Sequence, residues 1–368
     1  MTPTTEQDIA HMIAAATGPL HITGGGTRPV GRPQSGTPLT TAGLSGITLY
    51  DPGALTIVAQ SGTPLAKIEA ALAAENQRLA FEPMDHRPLL GTTGTPTIGG
   101  VVASNTSGPR RIAVGACRDF MLGVRFVDGQ GQIIKNGGRV MKNVTGYDLV
   151  KLMSGAHGTL GVLTEVALKT LPNVESTATL TLTGLSTAEA IKAMSHALGA
   201  PYDVTGAAHL AASGRTMLRI EGFEGSVAYR AEKLAQHLSQ FGSADIAFNT
   251  PEDWHAIRDV TGLAAQKGDI WRISVRPSEA AKVAGALGAK DLQFDWGGGL
   301  IWALMDAGTD ARAALGNTAG HATLIRASDA TKQAIAPFHP ETAPLAKISQ
   351  GLRARFDPRG ILNPGLMT

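Results

Sequence analysis

Three stretches of the chain carry glycine and small polar residues at spacings that packing alone does not demand. The first, Thr23-Gly24-Gly25-Gly26-Thr27, follows the short apolar run Leu20-His21-Ile22. Consecutive glycines leave backbone N–H groups unhindered and reach positive φ, so this loop suits a nest for a diphosphate. The second is Pro96-Thr97-Ile98-Gly99-Gly100-Val101-Val102-Ala103-Ser104-Asn105-Thr106-Ser107-Gly108, and the third spans 145–165, from Thr145 and Gly146 through Gly155-Ala156-His157-Gly158-Thr159-Leu160-Gly161-Val162-Leu163 to Glu165. The commoner nucleotide loops are missing: there is no G-x-x-x-x-G-K-[ST], and no G-x-G-x-x-G opens a helix with an acidic residue some 20 positions on. What the three segments do offer is N–H donors for two phosphates and small residues that let backbone approach flat rings, the needs of a dinucleotide.

The elements that must position these loops read out in order. Ile9, Met12, Ile13 and Ala16 stand at helical spacing before the stop Gly18-Pro19. Ile47–Tyr50 and Thr56–Ala59 read as strands around Asp51-Pro52-Gly53. Thr63 is placed to cap a helix that opens at Pro64 and buries Leu65, Ile68 and Leu72. Residues 91–115 read as loop. Phe120–Val127 and Gln132–Lys135 form a hairpin around Asp128-Gly129, and 161–171 is a further strand.

From 174 the character changes, with strand, helix, strand, strand, helix written twice. The first copy uses 177–183, 188–198, 207–211, 216–221 and 227–241. The second uses 270–275, 279–287, 292–296, 300–305 and 310–315, and 322–326 adds a closing strand. Two ferredoxin-like halves side by side would bury one antiparallel sheet under helices. The fold class expected is therefore α+β, with domain boundaries at 1–172 completed by the tail 340–368, and a cap domain over 173–339.

Composition narrows the role. At 368 residues with 43% hydrophobic and 17% charged residues, 45 glycines and 20 prolines, the chain is a compact two-domain protein rich in tight turns. Its net charge of +2 and lack of Lys/Arg runs argue against nucleic acid. The single cysteine, Cys117, excludes an intrachain disulfide and any cluster held by several thiolates. No run nears the roughly 20 apolar residues of a membrane span. Residues 1–16 carry Glu6 and Asp8 rather than a basic leader, which reads as mature protein. The expected address is cytoplasmic, with inner-membrane association only through partners.

At the three glycine segments, and again at Phe356-Asp357-Pro358-Arg359-Gly360-Ile361-Leu362-Asn363-Pro364-Gly365, the sequence resembles the PCMH-type, vanillyl-alcohol-oxidase-like FAD-binding flavoproteins. D-lactate dehydrogenases and the FAD subunits of bacterial glycolate oxidase belong to that family. The resemblance covers about 1–172 and the tail, and the short cap and Gly-Ala-His-Gly are similar to the smaller flavin subunits. It implies that Gly24, Gly25, Gly26 and Thr27 hold the diphosphate. Pro96, Thr97, Gly99, Gly100, Ser104, Asn105 and Gly108 would run along the diphosphate, ribityl chain and isoalloxazine. Gly158, Thr159, Gly161, Val162 and Leu163 would line the adenine side, with Asn363 closing the pocket. Many relatives attach FAD covalently through a histidine just after the first loop; Thr27-Arg28 stands there instead, so the cofactor is expected to be non-covalent, with Cys117 read as a packing residue.

The resemblance also implies a small 2-hydroxy acid as substrate, with a larger homologous flavin subunit and an iron–sulfur subunit of glycolate oxidase as partners. Oxidising such an acid needs a base for the hydroxyl proton and a cation for the carboxylate. The histidine-rich cap segment of the catalytic relatives is absent, and His196, His209, His237, His255, His321 and His339 stand apart in sequence. Arg272 and Arg276, expected on one strand face, Arg258 and His255 are the catalytic candidates; no metal is expected. Three roles stay open: a subunit of a 2-hydroxy acid dehydrogenase complex, a self-sufficient oxidase of another alcohol or hydroxy acid, and a non-catalytic FAD-binding assembly subunit.

Overall fold

The computed structural model describes residues 1–140 and 146–368, so Thr145 at the head of the third segment lies outside the described residues. The chain divides into two units. One comprises Met1–Ser107, Ala116–Asn173 and Pro340–Thr368; the other comprises Gly108–Gly115 and Val174–His339. Among the described residues no helix is long and apolar enough to cross a membrane.

The first unit is built on a five-stranded antiparallel sheet in the order Ile47–Asp51, Thr56–Gln60, Val162–Lys169, Met121–Val127, Ile133–Gly137. Its central strand, Val162–Lys169, is buried on both faces apart from Glu165 and Lys169, and its apolar residues Val162, Leu163, Val166, Ala167 and Leu168 come in two runs rather than in strict alternation. Beside it, Leu20–Thr23 pairs in parallel with Thr37–Thr40. The opening helix, Glu6–Ala15, begins at a Thr5/Asp8 capping box and buries Ile9 and Ile13. These two residues pack with Leu20, Leu39, Leu44, Val127 and Val162, and with Ile361 and Leu362 of the tail.

The tail is therefore core, and polar contacts hold it there. Arg359 donates to the carbonyls of Ile13, Ala14 and Ala16 at the C-terminal end of the opening helix, and to Gly129. Asp357 accepts from the Leu362 amide at 2.7 Å. A Cβ on Gly129 would lie 2.4 Å from the Asp357 carboxylate, so it is the tail that requires glycine there. The hairpin loop around Asp128-Gly129 runs 128–132, one residue longer than the 128–131 left between the expected strands, with Asp128 Oδ1 accepting from the amides of Gln130 and Gln132.

Two expectations are corrected in this unit. Thr63 does not cap the helix Leu65–Ala74; its hydroxyl donates to the Gln60 carbonyl and accepts from the Gly46 amide, while Pro64 occupies the cap position. Nor is 91–115 all loop. It contains the helix Ile98–Ala103, whose Gly99 lies so near Ser61 that a Cβ would fall 2.6 Å from that side chain. Tertiary burial of Ile98, Val101 and Val102 outweighs the low helix propensity of two adjacent glycines.

The second unit is an eight-stranded sheet in the order Asp245–Phe248, Ser176–Thr183, Arg215–Gly222, Val204–Leu210, Asp291–Asp295, Leu300–Met305, Asp269–Val275, Gly320–Arg326. Numbered within each half, the order is 4-1-3-2 followed by 2-3-1-4, two β-α-β-β-α-β halves joined through their second strands, with His209 opposite Phe294. Helices Thr187–Leu198, Glu224–His237 and Ala280–Leu287 cover one face, where a single core crosses both halves. The sequence did not reveal strand Asp245–Phe248, which is short and mostly exposed, nor helix Pro251–Arg258, whose Trp254 and Ile257 pack on Ala208 and Met217 of the other face. The helix expected over 310–315 is a 3₁₀ turn, Ala311–Leu315.

Candidate cofactor site

The strand Leu20–Thr23 delivers Gly24, Gly25 and Gly26 to the rim of a cavity in the first unit. Gly25 is required there by contact with the second segment: a Cβ would sit 1.6 Å from the Thr95 carbonyl oxygen, and one on Gly94 would sit 1.8 Å from the Gly25 carbonyl oxygen. The two loops thus lie back to back with no room for a side chain. Gly26 differs, with φ +70° and open space about its Cβ position, so its constraint is conformational. Thr97 caps the helix Ile98–Ala103 by accepting from the Gly100 amide at 3.3 Å, and its hydroxyl fills the place a Cβ on Gly24 would take.

The third segment enters from the opposite side. His157 and Gly158 both adopt positive φ, +52° and +73°, which turns the chain along the cavity wall. Asn363 fastens it: the side-chain amide donates to the His157 carbonyl at 2.9 Å, while Oδ1 accepts from the Ile22 amide at 2.7 Å. Since Leu20 also exchanges backbone hydrogen bonds with Ile361 and Asn363, the tail extends the Leu20–Thr23 ladder from its free edge. Four segments far apart in sequence therefore enclose one cavity.

A family profile described as an FAD binding domain matches residues 1–137. The glycolate oxidase subunit GlcE of Escherichia coli K12 is 38% identical over 352 residues, covering 95% of this chain and 92% of that protein. The chain belongs to the GlcE family of FAD-binding glycolate oxidase subunits. The glycolate oxidase subunit GlcD of Bacillus subtilis is 33% identical over 156 residues, 42% of this chain but 31% of its own length. Among solved structures, alkyldihydroxyacetonephosphate synthase superposes with a TM-score of 0.71 over 99% of this chain and 76% of its own, at 14% identity, which establishes the vanillyl-alcohol-oxidase-type fold. As a member of the GlcE family the chain is an FAD-dependent oxidoreductase, with the PCMH-type flavin domain and duplicated α+β cap expected from its motifs.

The cavity fits FAD on two observations of its own. Glycine backbone forms its rim, where a Cβ on Gly24 or Gly25 would collide, and Ser61, fully buried on its wall, has a hydroxyl without a hydrogen-bond partner among the described residues. Burying a hydroxyl without a partner costs about 1–3 kcal/mol, a cost that a polar ligand in the cavity removes. Of the residues expected to hold the cofactor, Gly24, Gly25, Gly26, Thr27, Pro96, Thr97, Gly99, Gly100, Ser104, Gly158, Gly161, Val162, Leu163 and Asn363 line this cavity together. Three lie elsewhere and have structural tasks. Asn105 accepts from the Arg118 amide, buried Thr159 donates to the Ala156 carbonyl, and Gly108 falls in the second unit, where its carbonyl accepts from Trp296 Nε1. Cys117 is fully buried outside the lining; burial, with the Asp119 carboxylate adding to it, pushes its thiol well above the ordinary range.

Residue-by-residue reading assigned Thr27, Thr97, Ser104 and Asn363 to the cavity but missed other polar side chains of its wall. Besides Ser61, these include His21, Arg28, His86 and His157. Arg28 Nε donates to His86 Nε2 at 3.0 Å, which fixes that nitrogen as the unprotonated one. Burial pushes Arg28 down to about 10, and burial together with the Arg28 charge pushes His157 down to about 3, so His157 is neutral at physiological pH. His157 lies inside the Gly-Ala-His-Gly motif and Arg28 stands next to the first glycine loop, where a signal could be read; Ser61, His21 and His86 have no periodicity or motif to mark them as cavity residues.

The catalytic candidates all lie in the second unit, and the structure separates them. Arg258 makes a bidentate pair with Asp259, and His255 is exposed on helix Pro251–Arg258. Arg276 does not share a strand face with Arg272, because the strand ends at Val275 and Arg276 caps the turn that follows. Only Arg272 joins a cluster: its guanidinium lies 5.1 Å from the Trp296 ring centroid and that of Arg111 4.7 Å from the same ring. His321 belongs to the group, held below its usual range by burial and then by Arg272, His339 and Arg111. His196 and His237, far apart in sequence, stack at 4.7 Å. Among the described residues no three His, Cys, Asp or Glu side chains gather as metal ligands would.

Proposed function

We propose that the chain is the FAD-binding subunit of a glycolate oxidase complex, in which glycolate, a small 2-hydroxy acid, is oxidised to glyoxylate and the electrons leave through an iron–sulfur partner subunit. The observation that carries this reading is the likeness to E. coli GlcE along nearly the full length of both chains. The shorter likeness to GlcD supports a larger, homologous flavin subunit as the second partner.

Bound FAD supplies a two-electron acceptor for the hydride of the substrate C–H bond. The chain contributes the buried cradle described above.

The state of the cavity histidines favours a second reading in which the larger flavin subunit oxidises the substrate and this chain relays electrons or supports assembly. His86 Nε2 is engaged by Arg28, and the low proton affinity of His157 makes it a poor acceptor for a hydroxyl proton.

Anaerobic addition of glycolate separates the readings. The chain alone, yellow with FAD, is expected to stay oxidised, whereas flavin absorbance in the assembled three-subunit complex falls to an extent that includes the FAD of this chain. Rapid bleaching of the isolated chain by a different hydroxy acid would identify a self-sufficient enzyme and overturn the partnership.

A further inference from the structure

Among the described residues, Arg28 is the one member of the cavity wall whose charge meets no carboxylate. Among the described residues it makes a single hydrogen bond, to the neutral His86 ring, and no ion pair with a carboxylate. Its two terminal amino groups therefore keep their donors. The acceptor that orients it is well fixed, since His86 is only 6% exposed. The backbone just before Arg28 is fixed too, as the Thr92 hydroxyl donates to the Thr27 carbonyl at 2.9 Å.

A guanidinium partly withdrawn from water without a counter-charge is unfavourable, and burial lowers its proton affinity accordingly. An anion arriving in the cavity reverses that cost. Oxidised FAD carries its permanent charge in one place: the isoalloxazine, ribityl and adenosine portions are neutral, and the diphosphate is a dianion. Neighbouring His157 is neutral and adds no competing positive charge.

We propose that Arg28, positioned by His86, is the ionic anchor for the diphosphate of FAD, adding one full charge to the backbone donors of the glycine loop. This rests on the reading of the cavity as the FAD site. It assigns the residue standing where relatives with covalent flavin carry a histidine to charge pairing with the cofactor. A bidentate guanidinium matches phosphate oxygens better than an ammonium does.

The test uses the full chain stripped of FAD, with ADP and riboflavin as separate probes of the charged and the ring halves, followed by calorimetry. In Arg28→Met, affinity for ADP and FAD is expected to fall about ten- to a hundredfold, as for loss of a charge-assisted hydrogen bond, while riboflavin affinity stays within about twofold. Arg28→Lys recovers part of the ADP affinity. His86→Phe, which removes the orienting acceptor, gives the same split at smaller amplitude.

Loss of riboflavin affinity with ADP binding unchanged would place Arg28 at the ring and overturn the proposal, as would variants that bind both probes like the parent. Where Arg28→Met fails to fold by circular dichroism, the salt dependence of ADP binding decides on the parent chain: an ionic anchor weakens as salt rises, and a flat response contradicts it. A parent chain that takes up neither FAD nor either probe would refute the cofactor site itself, a result distinct from a parent that binds FAD and an Arg28→Met variant that binds it equally well.

Discussion

Asn363 and His157 are 206 residues apart, and the Asn363 side-chain amide donates to the His157 carbonyl at 2.9 Å. The same amide donates to the Ile22 carbonyl at 3.3 Å while its oxygen accepts from the Ile22 N–H. One side chain near the C-terminus thus holds the first and third cofactor segments at a fixed distance. It is almost fully buried and adopts φ +43°, a conformation that asparagine tolerates better than most residues.

Asn363→Ala leaves two carbonyls and an amide without these partners and places alanine in the left-handed region. The expected loss is about 2–4 kcal/mol of stability, read from urea denaturation, together with faster release of FAD on gel filtration. Asn363→Asp should be at least as damaging, because a carboxylate offers no donor and sets negative charge against two carbonyls. Equal stability in both variants and the parent would show that the tail is not a latch.

Ser61→Ala should move two quantities in opposite directions. Its hydroxyl is buried without a partner among the described residues, so the flavin-free chain becomes as stable as the parent or slightly more so. Affinity for FAD falls, by about fivefold for one lost hydrogen bond of roughly 1 kcal/mol. Denaturation of the stripped chain and a flavin fluorescence titration measure the two; a loss of stripped-chain stability with unchanged affinity would mean that Ser61 serves packing alone.

Two adjacent glycines give a matched contrast. Gly25→Ala drives a methyl group to 1.6 Å from the Thr95 carbonyl oxygen, so the two loops must separate and the variant is expected to be purified colourless. Gly26→Ala meets no atom within 4 Å and bears only the left-handed backbone cost of about 1 kcal/mol. It should keep most of its flavin, which absorbance per polypeptide reports. Comparable flavin loss in both would remove the back-to-back loops from the explanation.

His157 sets an acid limit with a definite sign. Burial first, and Arg28 second, hold its proton affinity at about 3 against an ordinary 6.5, so between those values the unfolded chain binds a proton that the folded chain does not. Its contribution to stability is complete above pH 6.5 and is lost as pH falls from there toward 3. Urea midpoints at about pH 7.5 and about pH 5 should differ less in His157→Gln than in the parent. A larger acid sensitivity in the variant would reverse the assignment.

The glycine loops and the tail were legible because their chemistry needs particular residue types: Gly25 admits no Cβ, and Asn363 alone supplies both donor and acceptor at its position. The duplicated cap was legible from hydrophobic periodicity, with the exception of Asp245–Phe248, an exposed edge strand that lacks a buried face to impose a pattern. Thr63 was misread because a tertiary partner, the Gln60 carbonyl, competes for the hydroxyl that a helix cap would use. Ser61 and His86 gave no pattern at all, and Arg28 was marked only by its place next to the first glycine loop. Their importance comes from what they face in the cavity, and Arg272 and Arg276 were paired by a strand that in fact ends between them, at Val275.

The central claim is that the cavity enclosed by the glycine loops and Asn363 holds FAD. The absorption spectrum of the purified parent chain between about 350 and 500 nm, taken beside that of Gly25→Ala, tests it most directly. The account predicts a flavin spectrum in the parent, with FAD released into the supernatant on acid precipitation, and none in the variant. A parent chain that is colourless and cannot be reconstituted with FAD, or a Gly25→Ala chain as yellow as the parent, would contradict it.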